Sequence, residues 1–138
     1  MNVAMTATDS KKTLLVRFCL AYKGVLKDHT IFCTAGIGNR IKSETNLDVV
    51  CLMHSYQGGL QQLASKISWN EIDLVIYIKD FISNNMNIEN DKYDLGRLCD
   101  IYSIPIATNI PTAEALILSL SRGDLNWRIF SNSSLNKT

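Results

Sequence analysis

Asp73-Leu74-Val75-Ile76-Tyr77-Ile78-Lys79-Asp80 is an apolar run of strand length that ends on a charged pair. Its centre is too short and too continuous for a half-exposed hairpin strand, and it suits a sheet covered on both faces. Runs of the same kind lie at 3–7, 30–34, 48–53 and 104–107. Between them apolar residues recur at helical spacing: Leu14, Leu15, Phe18, Cys19 and Tyr22; Leu63 and Ile67; Leu95, Leu98 and Ile101; Ala113, Leu116, Ile117 and Leu120. Asp9 and Ser10 are expected to cap the first helix, and Thr112 with Glu114 to start the last. Pro105 and Pro111 fall at element edges, where a missing N–H does least harm. The alternation predicts a doubly wound α/β domain with a mostly parallel five-stranded sheet. In such domains the ligand lies beyond the carboxyl ends of the strands. The loops at 8–12, 35–38, 54–60, 79–91 and 108–112 would then surround one site.

A chain of 138 residues is enough for one domain with a single core, assigned to 1–130, followed by a small polar tail at 131–138. A net charge of +1 gives no reason to expect nucleic acid or an anionic membrane as partner. Nothing approaches the run of about 20 apolar residues that spans a bilayer. Met1-Asn2-Val3-Ala4-Met5 lacks the basic start and long apolar core of a signal peptide. Cys19, Cys33, Cys51 and Cys99 show neither C-x-x-C pairing nor zinc-like spacing with histidine. They read as buried thiols in a reducing, cytoplasmic setting.

The loop ends carry the chemistry. Thr34-Ala35-Gly36-Ile37-Gly38-Asn39 follows a strand and opens a helix, where glycines and a helix N-terminus favour an anion. It lacks the Lys-Ser/Thr of a P-loop and the third glycine of a dinucleotide fingerprint, so one small phosphate or carboxylate fits better than a nucleotide. Lys12 is either within reach of that anion or a solvated helix lysine. Asp80 ends the fourth strand, facing the crevice or serving a turn. Arg97, between Leu95 and Leu98, is open to a ligand, to a carboxylate across a subunit contact, or to water. Of the two histidines, His29 is expected to face solvent, and His54, directly after a strand, is the better acid–base candidate. The run Asn84-Asn85-Met86-Asn87-Ile88-Glu89-Asn90-Asp91 reads as a long polar loop of the kind that lines a site.

Gly58-Gly59-Leu60-Gln61-Gln62, Arg97-Leu98-Cys99-Asp100-Ile101-Tyr102, Ile104-Pro105-Ile106-Ala107-Thr108-Asn109 and Arg122-Gly123-Asp124-Leu125-Asn126-Trp127-Arg128, taken in order, resemble methylglyoxal synthase over residues 3–128. The resemblance implies a flavodoxin-like domain, a homohexamer, and conversion of dihydroxyacetone phosphate to methylglyoxal and phosphate without metal or organic cofactor. It also implies site residues. Asp9, Lys12, Thr34, Asp80, Asp91 and Arg97 match the family's positions. Thr8 stands where the family has histidine, and Gly36 and Ile37 replace two hydroxyl residues. His54-Ser55 replace Ser-Gly, and the family's second histidine would fall near Asn87 or Ile88. Leu60 replaces the aspartate base, and an alkyl group cannot accept a proton.

Three readings follow. In the first, a divergent enzyme uses Asp9, His54, Asp80 and Asp91 for catalysis on a small phosphorylated or carboxylated carbonyl compound. The anion would be held by Lys12, Thr34, Gly36, Gly38, Ser55, Gly58, Gly59 and Arg97, and enediolate-type elimination or isomerisation would follow. Ordinary methylglyoxal synthesis is then weak or lost, since a general base alone contributes about 10²–10⁴-fold. In the second, the chain is a non-catalytic anion-binding or assembly subunit. In the third, residual methylglyoxal synthesis runs through Asp80 or Asp91.

Overall fold

The computed structural model describes residues 1–80 and 94–129. Asp91 and the tail at 131–138 lie outside the described residues. The chain runs β1 (Asn2–Ala7), a 3-10 turn (Asp9–Lys11), α1 (Lys12–Ala21), α2 (Lys23–Leu26), β2 (Thr30–Cys33), α3 (Ala35–Thr45) and β3 (Val49–Cys51). It continues through a second 3-10 turn (Ser55–Gln57), α4 (Gly59–Ser68), β4 (Leu74–Ile78), α5 (Leu95–Ile101), β5 (Ile106–Ala107) and α6 (Ile110–Arg122).

The strands form one sheet in the order β3-β2-β1-β4-β5, and each neighbouring pair is parallel. Every residue of β4 is buried, because both faces of the sheet are covered. Leu74, Ile76 and Ile78 join Val3 and Met5 of β1 against α1, α3 and α6. Val75 and Tyr77 join Ala4 against α4 and α5. Successive side chains of a strand alternate faces, so one apolar run feeds two cores. The sheet order reverses between β1 and β4, at the topological switch point where such folds open a crevice. There the Thr8 N–H donates to Ile78 O at 3.0 Å, and the Asp80 N–H donates to Thr8 Oγ1 at 3.0 Å.

Several boundaries differ from the sequence expectation. Asp9 and Ser10 do not cap α1 with their side chains; they form the 3-10 turn, and α1 opens at Lys12. The last helix opens at Ile110, two residues before Thr112, since Asn109 Oδ1 accepts the Thr112 N–H at 3.0 Å and Pro111 takes a first-turn position needing no N–H. The third strand ends at Cys51 rather than 53 because the Met53 N–H turns to Gln62 Oε1, 2.7 Å away. β5 begins at Ile106 rather than 104, as the Ile104 N–H closes the end of α5 on Cys99 O at 2.8 Å. Residues 35–38 are the first turn of α3 rather than a loop. Cys19, Cys33 and Cys99 are buried as expected, but Cys51, on the edge strand, is only half-buried. Burial pushes the Cys19 and Cys99 thiols up to about 12.

The carboxy-terminal end of the described chain is held by one side chain. Arg128, 2% exposed, donates Nε to Asp73 Oδ1 (3.3 Å) and Nη2 to Asn70 Oδ1 (3.0 Å) and Ile72 O (3.2 Å), while Nη1 reaches Ser103 O. Asp73 in turn accepts the Asn2 N–H at 2.8 Å through its other oxygen. Asn2 and Arg128 therefore meet on one carboxylate.

Candidate functional site

At the carboxyl end of the sheet the 3-10 turn after β1 presents Asp9, Ser10 and Lys12. Asp9, almost fully exposed, pairs with Lys12 Nζ at 2.8 Å. So exposed a pair is weak and easily exchanged for a better anion. The half-buried Asp80 accepts the Ser10 hydroxyl at 2.7 Å, which ties the β1 and β4 loops together.

The α3 N-terminus lies beside this turn. A methyl placed on Gly36 would stand 3.6 Å from Lys12 Nζ and 3.7 Å from His54 Nδ1. The cation and the imidazole thus converge on the first turn of α3. In the first turn of a helix, the N–H groups of residues such as Gly36 and Ile37 have no intrahelical acceptor. A fractional positive charge adds to the lysine there. His54 is half-buried, and its ring stacks on Tyr56 with centroids 5.1 Å apart and planes at 21°. Such stacking restrains the imidazole while leaving its edge available.

The Gly-Gly turn is built for geometry. Gly58 has φ 101°, a left-handed conformation that side chains resist. At Gly59 a Cβ would overlap the Met53 carbonyl oxygen and lie 2.9 Å from His54 O. The Gly59 N–H is already used, donating to His54 O at 2.9 Å, as does the Gln57 N–H. Gly59→Ala should therefore displace the 54–59 loop and cost about 2–3 kcal/mol, on the scale of overpacking, read as a lower urea midpoint. A midpoint equal to wild type would refute that close approach.

Thr34 is buried, with its hydroxyl 3.2 Å from that of Thr6, directed inward. Gly38 packs against Cys51 Sγ and Cys33 Cβ, and its N–H donates to Thr34 O in the helix. Ser55 is exposed on the 3-10 turn. Arg97 is exposed on α5, and among the described residues its guanidinium has no ion-pair partner. Leu60, 6% exposed, packs with Leu52, Leu63 and Ala64 in the core beneath α4. Sequence reasoning assigned no part to Tyr56, to the Thr8 hydroxyl, or to Gln62 as the strut under the Gly-Gly turn; only the presence of Gln62 in a recurring motif hinted at it. Among the described residues no group of three or more His, Cys, Asp or Glu is placed to hold a metal ion. No helix of the described residues is long and apolar enough to cross a membrane.

An all-parallel sheet with order 3-2-1-4-5, helices on both faces and charged loops at the switch point defines a doubly wound α/β domain with a crevice for a small ligand. No family model matches the chain. Full-length similarity is nonetheless extensive. It is 45% identical over 137 residues to a methylglyoxal synthase of Caldicellulosiruptor saccharolyticus, covering 99% of this chain and 96% of that protein. It is 43% identical over 128 residues to a methylglyoxal synthase of Clostridioides difficile, covering 93% of each. The crystal structure of methylglyoxal synthase from Elizabethkingia anophelis superposes with a TM-score of 0.76 at 29% identity, over 84% of this chain and 76% of the other. The chain belongs to the methylglyoxal synthase family.

Proposed function

We propose that this chain is a divergent enzyme of its family, acting on a small phosphorylated or carboxylated carbonyl compound through an enediolate. The convergence of Lys12 Nζ and His54 Nδ1 on Gly36 at the N-terminus of α3 carries this reading. Lys12 and the first-turn N–H groups of Gly36 and Ile37 would hold the anionic group. His54, restrained by Tyr56, would take the proton next to the carbonyl or return it to the enediolate. Asp80, oriented by Ser10 and the Thr8 hydroxyl, would serve as the second acid–base group, with Asp9 trading Lys12 to the substrate. Arg97 and Ser55 would close over the ligand from α5 and the 54–59 loop, and Asp91 joins them by family resemblance alone. Thr34, Gly38 and Gly59 would shape the cradle rather than contact the ligand, because their donors or contacts are used within the protein, and Gly58 would set the turn through its left-handed backbone.

Ordinary conversion of dihydroxyacetone phosphate would be slow, since Leu60 offers no base and Gly36 and Ile37 offer no hydroxyl donors. A homo-oligomer, hexameric as the resemblance implies, accompanies this reading, and the exposed Trp69, Ile101, Tyr102 and Trp127 support it. The burial of Leu60 in an apolar cluster favours a second reading, an anion-binding subunit without turnover.

Calorimetry with inorganic phosphate should show binding that Lys12→Ala weakens by about ten- to a hundredfold, the value of one charge-assisted hydrogen bond. A screen of triose and other small sugar phosphates separates the readings. Turnover that falls in His54→Ala and Asp80→Asn supports the enzyme, and binding without turnover supports the second reading. Turnover unchanged in both variants would remove the assigned roles.

A further inference from the structure

The opposite end of the sheet carries a second concavity. A cleft of about 330 Å³ opens between α2, the end of α3 and the edge strand β3, lined by Lys23, Lys27, His29, Asn46 and Val50 among others. Its size falls at the small end of the range for metabolite pockets. Lys23 and Lys27 are one helical turn apart, the Lys27 N–H donating to Lys23 O at 3.0 Å, so both side chains leave the same side of α2. Neither lysine has an ion-pair partner among the described residues. Asp48 is the one carboxylate in the lining. The accessible apolar part of the lining is Val50, 47% exposed, with Leu26 and Leu47 buried beneath the floor.

His29 adds a donor. Its Nδ1 lies 3.0 Å from the Met1 ammonium, which has only protons to offer, so the neutral ring carries its own proton on Nε2. Burial, then the neighbouring ammonium charge, lower the pKa of His29 and favour that neutral form. Asn46 ends α3 in a left-handed conformation with φ 60° at the cleft, adding an amide.

We propose that this cleft binds a small organic phosphate, with the phosphate between Lys23, Lys27 and His29 and the carbon skeleton against Val50. It is separate from the carboxyl-end site. An 11-residue helix such as α3 is about 16 Å long, and α3 has its first turn at Gly36 and its end at Asn46. The proposal does not rest on any catalytic reading, because it uses none of the same residues.

The test uses the full chain carrying Lys12→Ala, so that the carboxyl-end site is weakened. Its amide ¹H–¹⁵N spectrum is titrated with glycerol 3-phosphate, which has no carbonyl and cannot form an enediolate. Saturable shifts are expected at Lys23, His29, Asn46 and Val50, with a Kd at or below about 1 mM. Lys23→Ala/Lys27→Ala should weaken them at least about tenfold. Lys27→Gln, a milder change on an exposed residue, should weaken them part of the way. Absence of saturable shifts at the cleft, shifts matched by sodium chloride at equal ionic strength, or binding unchanged in the double variant would each overturn the proposal. Because the readout is position by position, failure here leaves the Lys12 result untouched.

Discussion

Arg128→Ala is expected to destabilise the domain by about 3–5 kcal/mol, the cost of removing one partner from a buried charged network. For a chain of this size that lowers the melting temperature by about 10 °C or more. Arg128 is 2% exposed and its Asp73 partner 17%, so water cannot replace the lost donors. The truncation strands the carbonyls of Ile72 and Ser103 together with the Asp73 carboxylate. Each unpaired buried polar group adds about 1–3 kcal/mol. Arg128→Lys should recover only part of the loss, because an ammonium lacks the planar fork that serves four acceptors at once. The effect should also be insensitive to moderate salt, unlike that of the exposed Asp9–Lys12 pair. Thermal and urea unfolding measure both, and a loss below about 1 kcal/mol would show the clasp to be dispensable.

Leu60→Asp is expected to raise methylglyoxal formation from dihydroxyacetone phosphate by about 10²–10⁴-fold over the parent chain, the range for a positioned general base. The position is on the first turn of α4, whose N-terminal dipole stabilises a carboxylate by about 0.3–1 kcal/mol. Against that, Leu60 leaves its contacts with Leu52, Leu63 and Ala64, and losing a buried leucine costs about 1.5–3 kcal/mol. The variant should therefore be less stable and more active. Leu60→Asn is the control, since it carries the same packing loss without a basic oxygen and should gain no rate. A parent chain already turning over like an ordinary family member would contradict the role given to Leu60. A Leu60→Asp protein that folds yet gains nothing would move the defect to Thr8, Gly36 and Ile37.

The strands and helices were readable because their apolar runs are uninterrupted or strictly periodic. Leu74–Ile78 is buried along its whole length, and its composition allows little else. The ends of elements were less readable. Asn109 outcompeted Thr112 as a cap, and the Met53 N–H left β3 for Gln62. Such choices depend on which acceptor stands nearby in space, and a local pattern does not encode that.

The site divides the same way. Residue types at the loop ends, and the absence of a carboxylate at position 60, are properties of the sequence. Family membership followed from motifs read in order, because many spaced residues together are specific where each alone is not. Which of those residues meet was decided by tertiary structure. The sheet order brings the loops after β1, β2 and β3 to one end, so that Lys12 and His54, 42 positions apart in sequence, both face Gly36. It turns the Thr34 hydroxyl inward to Thr6, spends the Gly59 N–H on His54, and brings Asn2 and Arg128 together on Asp73. Sequence sets which groups are available and which faces are apolar; long-range packing sets which hydrogen bonds are already used and which remain open to a ligand.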